Sequence, residues 1–264
     1  MAKEVAKATK ETEKALVYDN TSGRGWDNQT DDDMATPMVL VLQSLSPTVT
    51  KKLVPGAEPG KLFNNVTEEL HDELLFVPAI TDQVYVERTP RAEGGAFVAV
   101  HDMLSDTVQD AIAKNDGVKR DLKLGNNMLV QTFQIWGVLV DQHEALGFAM
   151  IPCASMKAKA YRTWNSKLRM YRHTLPNGDK MKPDLWAHLT RVSTIFTEGN
   201  KGDFYNIVLK PAVDGDVRKS LLAQDDPRFI AGEECYQMYK EQSLKPGAYE
   251  KSPDEDAADD KPPF

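Results

Sequence analysis

The chain has 264 residues, of which 41% are hydrophobic, 8% aromatic and 27% charged. This composition is typical of a folded globular protein and excludes a fibrous or wholly disordered one. No unbroken apolar stretch is longer than Met38–Leu42, far short of the ~20 residues that cross a bilayer, so we expect no membrane association. The 32 Lys and Arg residues and 40 Asp and Glu residues give a net charge of -8, which taken alone argues against a polyanionic partner.

The first part of the chain, residues 1–34, is polar, and we predict a flexible N-terminal segment outside the core. Its first sixteen residues alternate Lys with Glu and have no apolar centre, so we expect no secretory signal and a cytoplasmic protein. The run Asp31–Asp33 has ligands that a hard cation prefers. Adjacent side chains diverge, however, and no second acidic cluster is obvious, so we predict no metal site there.

Short apolar runs bounded by turn residues predict a series of β-strands after this segment. They fall at residues 74–80, 83–88, 96–100, 128–140, 146–153, 186–197 and 204–209. Polar turns at 141–144 and 198–203 predict hairpins, and a final helix is predicted at 226–242. We therefore predict a mainly β fold with helical insertions (α+β), specifically an OB-like antiparallel Greek-key barrel over residues 35–245.

A basic island interrupts the acidic chain. Residues 119–191 contain 12 Lys and Arg but only 5 Asp and Glu, a local net charge of +7. The island is most basic at residues 157–182, where Asp179 is the one acid among eight cations: Lys157, Lys159, Arg162, Lys167, Arg169, Arg172, Lys180 and Lys182. We predict a basic helical insertion near residues 155–182, and clustered cations are what binding of phosphates requires.

Aromatic residues are interleaved with these cations: Tyr161, Trp164 and Tyr171. Cations that contact phosphates and rings that stack on bases together suit single-stranded nucleic acid. The alternative is an amphipathic helix in which the same rings form the buried face. A solvated helix face normally mixes both charge signs, and this one has no acid between Lys157 and Arg172, so we favour binding. The predicted DNA-binding set consists of these eight cations, these three rings and Trp136 of a strand.

The C-terminal residues 246–264 are predicted to form a disordered acidic tail, because they have almost no apolar residue to bury. The tail residues that we expect to bind partner proteins are Asp254, Glu255, Asp256, Asp259, Asp260, Pro262, Pro263 and Phe264. Its terminal aromatic ring lies next to the α-carboxylate, a combination that a pocket lined by cations and apolar groups can capture.

This tail resembles the end of bacterial single-stranded DNA-binding proteins, which finish in acids, an apolar residue, Pro and Phe. Asp259, Asp260, Pro263 and Phe264 match that pattern, whereas Lys261 replaces an acid and Pro262 the usual Ile. In length and in its long N-terminal region the chain looks more like a phage-encoded version. The resemblance implies sequence-nonspecific binding of single-stranded DNA in phage DNA replication, recombination or repair, in the host cytoplasm. It also implies a tail that recruits replication and recombination proteins and competes with DNA for the basic groove.

Signals for catalysis are weak. The five histidines are scattered singly, and no phosphate-binding loop, dinucleotide fingerprint or nucleophile elbow is present. We therefore predict no catalytic residue, no metal and no cofactor, and we expect Cys153 and Cys235 to be buried thiols. The alternatives are a phage structural or assembly protein, a strand-annealing recombinase and a metal-dependent nuclease. The sequence predicts neither the oligomeric state nor a preference for DNA over RNA.

Overall fold

The computed structural model describes residues 35–90, 95–115, 117, 119, 121–154, 157–198 and 203–241. The predicted N-terminal segment (1–34) and acidic tail (246–264) lie outside these residues. The described helices are α1 (Pro47–Thr50), α2 (Asp106–Lys114), α3 (Lys157–Met170), α4 (Pro227–Lys240) and a 3-10 turn, Leu185–Ala187. The described strands are β1 (Val39–Val41), β2 (Leu62–Asn64), β3 (Leu70–His71), β4 (Glu73–Arg88), β5 (Phe97–Asp102), β6 (Leu122–Leu124), β7 (Asn127–Val140), β8 (Ala145–Ala154), β9 (His173–Thr174), β10 (Lys180–Met181), β11 (Thr190–Thr197) and β12 (Phe204–Pro211).

Two long antiparallel strands, β4 and β7, form the centre of the main sheet. They pair from Leu75 opposite Val140 to Arg88 opposite Met128. The other edge of β4 pairs with β11 near its start and with β5 near its end. The other edge of β7 pairs in the same way with β6 and then β8, and β12 extends the sheet beyond β11. The two runs predicted at 74–80 and 83–88 are thus one continuous strand.

The main sheet is covered on both faces, because apolar residues of β7 point alternately to either side. Phe133, Ile135 and Leu139 belong to the cluster that packs against α3. Val138 and Val140 belong to a second cluster that contains Cys235 of α4. Helices α3 and α4 therefore lie on opposite faces of the sheet, each held by every second residue of the same strand.

The centre of β4 is irregular at a point of very close packing. The pairing shifts between Pro78 and Ile80, so Ala79 is an extra residue opposite β7. Opposite this bulge lies Gly137, where an added Cβ would come 2.2 Å from the carbonyl oxygen of Val77. A residue larger than glycine does not fit there, and the bulge increases the local twist of the two longest strands.

A small second sheet and helix α2 were not predicted. β1, β2 and β3 form an antiparallel sheet, and Met38 next to β1 makes an isolated bridge to Met150 of β8. Helix α2 is capped by Ser105, whose side chain accepts from the backbone N–H of Val108 at 3.4 Å. These strands span only two or three residues, too few for a clear alternating pattern to appear in the sequence.

The prediction of a mainly antiparallel β fold with a few helices is confirmed. Among the described residues the sheets are open, because no hydrogen-bonded pairing joins the outer strands of the main sheet to each other. The OB-like barrel therefore stays a prediction. None of the helices that the structure describes is long and apolar enough to cross a membrane.

Candidate nucleic-acid interface

Helix α3 is placed by one buried face. Apolar residues recur along it at a spacing of three or four, and the buried ones are Ala158, Tyr161, Trp164 and Leu168. The Tyr161 ring stacks on Phe133 of β7 with 4.5 Å between ring centroids. Nε1 of Trp164 donates to Oγ1 of Thr190 at 3.3 Å. These contacts determine which side of α3 is left to the solvent.

The solvent side of α3 carries cations and no acidic residue. The exposed ones are Lys159, Arg162, Lys167 and Arg169, and Arg172 is exposed just after the helix ends. Among the described residues, none of these five has a carboxylate oxygen within the 4.0 Å of a salt bridge. The fold itself therefore leaves their charge available to an anion from solution.

The predicted cations do not form a single row. Arg162 and Arg169 are seven residues apart and share one side of α3, about 10 Å apart along the axis. The Arg162 guanidinium lies over the Phe133 ring at 5.0 Å and donates to Oε1 of Gln131 at 3.0 Å. On the other side of the helix, Nζ of Lys167 donates to the carbonyl oxygen of Gly215 at 2.5 Å.

The cations at the two ends of α3 have different roles. Lys157 is half-buried, and burial lowers the pKa of its ammonium group from the ordinary value. Arg172 donates to the carbonyl oxygens of Arg169 and Tyr171, both at 2.8 Å, which satisfies backbone acceptors at the helix end. Lys157 is therefore a poorer phosphate contact than the exposed cations, and part of the Arg172 side chain serves the helix.

A cleft of about 340 Å³ lies beside the C-terminal half of α3. The short hairpin β9–β10 follows the helix and carries exposed Lys180; Lys182 comes directly after it. The structure brings Lys182 to the cleft together with Arg169, whereas Lys180 is not among its lining residues. The cleft is lined by Thr81, Asn165, Leu168, Arg169, Lys182, Pro183, Asp184, Leu185 and His188.

The rings predicted to stack on bases are mostly in the core. Trp164 is 2% exposed, Trp136 3% and Tyr161 6%, and Tyr171 is half-buried against the α3 cluster. Nε1 of Trp136 donates to Oε1 of Gln134 at 3.2 Å, so even its polar edge is used internally. Stacking needs an open ring face, and the first three rings have none in this fold. Tyr161 and Trp164 lie on the buried face of α3, as the alternative interpretation of an amphipathic helix expects, and Trp136 lies in the core of the sheet.

An exposed aromatic ring that sequence reasoning missed, Phe196, lies on the β11–β12 hairpin. Phe196 is 50% exposed and its neighbour Ile195 57%. Phe196 is opposite Tyr205 in the strand register, with the ring centroids 5.4 Å apart in an edge-to-face arrangement. The signal in the sequence was the presence of large apolar residues on both sides of the predicted turn 198–203, Ile195 and Phe196 before it and Phe204 and Tyr205 after it.

Glu87 and His101 also form a contact that no motif in the sequence had indicated. Oε2 of Glu87 lies 2.7 Å from Nε2 of His101, and Oε1 accepts from Nδ2 of Asn127 at 2.6 Å. Glu87 is only 8% exposed. This cluster joins β4, β5 and β7 and satisfies a buried carboxylate, which would otherwise be costly.

A metal site and a reactive thiol each have requirements that can be compared with the described residues. Within those parts, no three His, Cys, Asp or Glu side chains are grouped so that they could hold a metal ion. Cys153 and Cys235 are free and buried, which confirms the interpretation of both as buried thiols. Burial raises the pKa of each thiol to about 12, so neither is a reactive thiolate at neutral pH.

Comparison with known proteins gives one family. The model of the family described as Pam3 phage gp34-like protein matches residues 6–245. No curated protein and no solved structure matches the chain. The match supports the phage part of the predicted resemblance, and it carries no indication of DNA binding. Because it covers most of the sequence, the chain belongs to the Pam3 phage gp34-like protein family.

Proposed function

We propose that this protein binds single-stranded DNA without sequence preference and acts in phage DNA replication, recombination or repair. The observation that carries the proposal is the outer face of α3, which presents Lys159, Arg162, Lys167 and Arg169 to solvent with no acid in the helix. A phage-encoded protein with a net charge of -8 is expected to avoid nucleic acid unless its cations are gathered on one surface.

The binding is mainly electrostatic in this proposal. Each cation that neutralises a phosphate releases condensed counterions, so log Kobs falls with log salt by about 0.7 per contact on single strands. Burial of Tyr161 and Trp164 removes them as stacking platforms. Among the aromatic residues that the structure describes, Phe196 is exposed and could stack on a base, and such stacking stabilises binding by ~1–3 kcal/mol.

The finer fold and the tail belong to the same proposal. Partner changes along β4 and β7, and the bulge at Ala79, bend the central strands and favour a partly open OB-like barrel. Residues 246–264 would recruit replication and recombination proteins. The five acids between residues 254 and 260 would also compete with DNA for the cations of α3.

The decisive experiment is fluorescence anisotropy of labelled oligo-dT and of a labelled duplex at two salt concentrations. We expect tighter binding of the single strand and a steep loss of affinity with salt. The double variant Lys159→Gln with Arg162→Gln should lower the salt slope by about 1.4, because two phosphate contacts are lost.

The matched control is the double variant Lys52→Gln with Lys123→Gln, which removes two exposed cations outside α3, one in the turn after α1 and one in β6. It should bind oligo-dT like the unmodified protein. If the two double variants lower the affinity for oligo-dT equally, α3 is not part of the DNA-binding surface. Absence of any single-strand binding would overturn the proposal and favour a phage structural or assembly role. Accelerated pairing of complementary oligonucleotides would identify a strand-annealing recombinase instead.

A further inference from the structure

The cleft beside α3 is bounded by segments that are far apart in the sequence. Asn165, Leu168 and Arg169 line it from the helix, and residues 182–185 and 188 line it from the segment before β11. Thr81 of β4 completes the lining. Its volume of about 340 Å³ is several times the ~30 Å³ that one water occupies in the liquid.

The charges that line this cleft favour an anion. Arg169 and Lys182 are exposed cations from different segments, and neither has a carboxylate within salt-bridge distance among the described residues. Asp184 is the acid in the lining, and its side chain makes no capping hydrogen bond to the 3-10 turn that follows. Two cations and one carboxylate leave the lining positive.

A buried histidine provides an independent indication of a ligand. His188 is 2% exposed and lines the cleft, and its Nδ1 has no hydrogen-bond partner among the described residues. The Tyr171 ring packs against the imidazole edge-on, with 6.4 Å between ring centroids. A buried polar atom without a partner is unfavourable, and most such atoms in folded proteins are satisfied by protein, water or ligand.

We infer that this cleft binds a phosphate group, with Arg169 and Lys182 contacting its oxygens and the Nδ1–H of His188 donating to it. A neutral imidazole supplies one N–H donor, and a guanidinium matches a phosphate with two parallel donors. This inference rests on the proposed function in one respect: if the protein binds DNA, the phosphate group in the cleft is one of the DNA backbone. A free phosphate or phosphorylated small molecule shares this chemistry.

The inference can be tested by NMR on protein with ¹⁵N-labelled histidines. The His188 ring signals are assigned by their loss in His188→Gln, and the folded protein is titrated with inorganic phosphate and, separately, with oligo-dT. We expect both ligands to shift these signals, while chloride at equal ionic strength does not. We expect Lys182→Gln to weaken phosphate binding about tenfold, as the loss of a charge-assisted contact predicts.

The matched control is Lys180→Gln, which removes an exposed cation two residues away that does not line the cleft. It should leave the phosphate titration unchanged. Because Lys180 and Lys182 are both exposed, neither variant is expected to unfold the protein. An equal effect of the two variants, or an equal shift with chloride, would overturn the inference.

The failures of the two proposals can be told apart. If oligo-dT binds through Lys159 and Arg162 but neither ligand shifts the His188 signals, the phosphate site is wrong and the DNA proposal stands. If inorganic phosphate shifts them and oligo-dT binds nowhere, the site stands with a free phosphate as its source and the DNA proposal is wrong. If neither ligand binds, both are wrong.

Discussion

His188 shows how a single buried group makes stability depend on pH. Burial and the nearby Lys182 lower the pKa of the imidazole from 6.5 to about 4. The unfolded chain therefore takes up this proton at a higher pH than the native protein does. The stability that the neutral ring contributes is present above the unfolded pKa and is lost as pH falls from about 6.5 towards 4.

We predict that the unfolding free energy falls by about 3 kcal/mol between about pH 7.5 and about pH 4 through this group alone, at 1.36 kcal/mol per unit of pKa shift. The measurement is urea denaturation of the unmodified protein and of His188→Gln across this range. Parallel pH curves for the two proteins would contradict the prediction.

Trp164 was predicted to stack on DNA and is instead part of the core. We predict that Trp164→Ala costs about 3–5 kcal/mol of unfolding free energy, because a large buried ring leaves a cavity. Trp164→Phe should cost less and keep the fold. Met170→Ala, at an 81% exposed position of the same helix, is the control and should stay within about 0.5 kcal/mol.

DNA binding separates the two roles of this residue. If the ring is only structural, folded Trp164→Phe should bind oligo-dT like the unmodified protein. A loss of affinity in this variant as large as that of the Lys159 and Arg162 double variant would restore the stacking role.

At the scale of elements, helix α4 is held against the sheet by a position where only glycine fits. A Cβ added at Gly232 would come 2.7 Å from Cγ1 of Val77 and 2.8 Å from Cβ of Trp186. Two effects oppose each other there. Alanine gains about 1 kcal/mol of helix propensity over glycine, while overpacking in a close-packed core costs about 1–3 kcal/mol.

We predict that Gly232→Ala destabilises the protein, because Cβ of Trp186 is fixed by the backbone and the Val77 methyl belongs to a short β-branched side chain with few alternative rotamers. Urea denaturation followed by circular dichroism measures the change. The control is Glu233→Ala, an exposed position one residue along the same helix where only propensity acts. A more stable Gly232→Ala protein would show that α4 can move off the sheet without cost.

For the whole molecule, the central property is the separation of charge along the chain. Residues 119–191 have a net charge of +7 within a protein of net -8, and this opposition of charge is the basis of the competition that we propose between the tail and DNA. We predict that a chain ending at Ser252 binds oligo-dT at least as tightly as the full chain at low salt, since five competing acids are removed. The same chain should no longer capture polymerase, helicase or recombinase partners in pull-downs.

Anisotropy titrations of both chains at two salt concentrations measure this effect. The difference between them should shrink as salt rises, because screening weakens the tail's competition. Weaker DNA binding by the shorter chain would contradict competition by the tail.

The strands and helices that could be predicted are those with enough residues to show a period. β7, β8 and β12 were expected from apolar runs bounded by turn residues, and α4 from its place at the end of the core. β1, β2 and β3 are too short to show a pattern, whereas α2 was missed although Val108, Ala111 and Ile112 recur at helical spacing after its N-cap, Ser105. The order of the strands in the sheet could not be predicted from the sequence either. β4 pairs with β11 near its start and with β5 near its end, and such pairing depends on contacts between distant segments.

The clustering of cations near residues 157–182 is a local property, and it could be read directly from the order of the amino acids. Local pattern could not decide which face of α3 is buried, because Tyr161 and Trp164 are held by Phe133 and Thr190, on strands before and after the helix. The meeting of Arg169, Lys182 and His188 around one cleft likewise exists only after folding. Residues distant in the sequence become neighbours there because the sheet and helix must bury their apolar faces together.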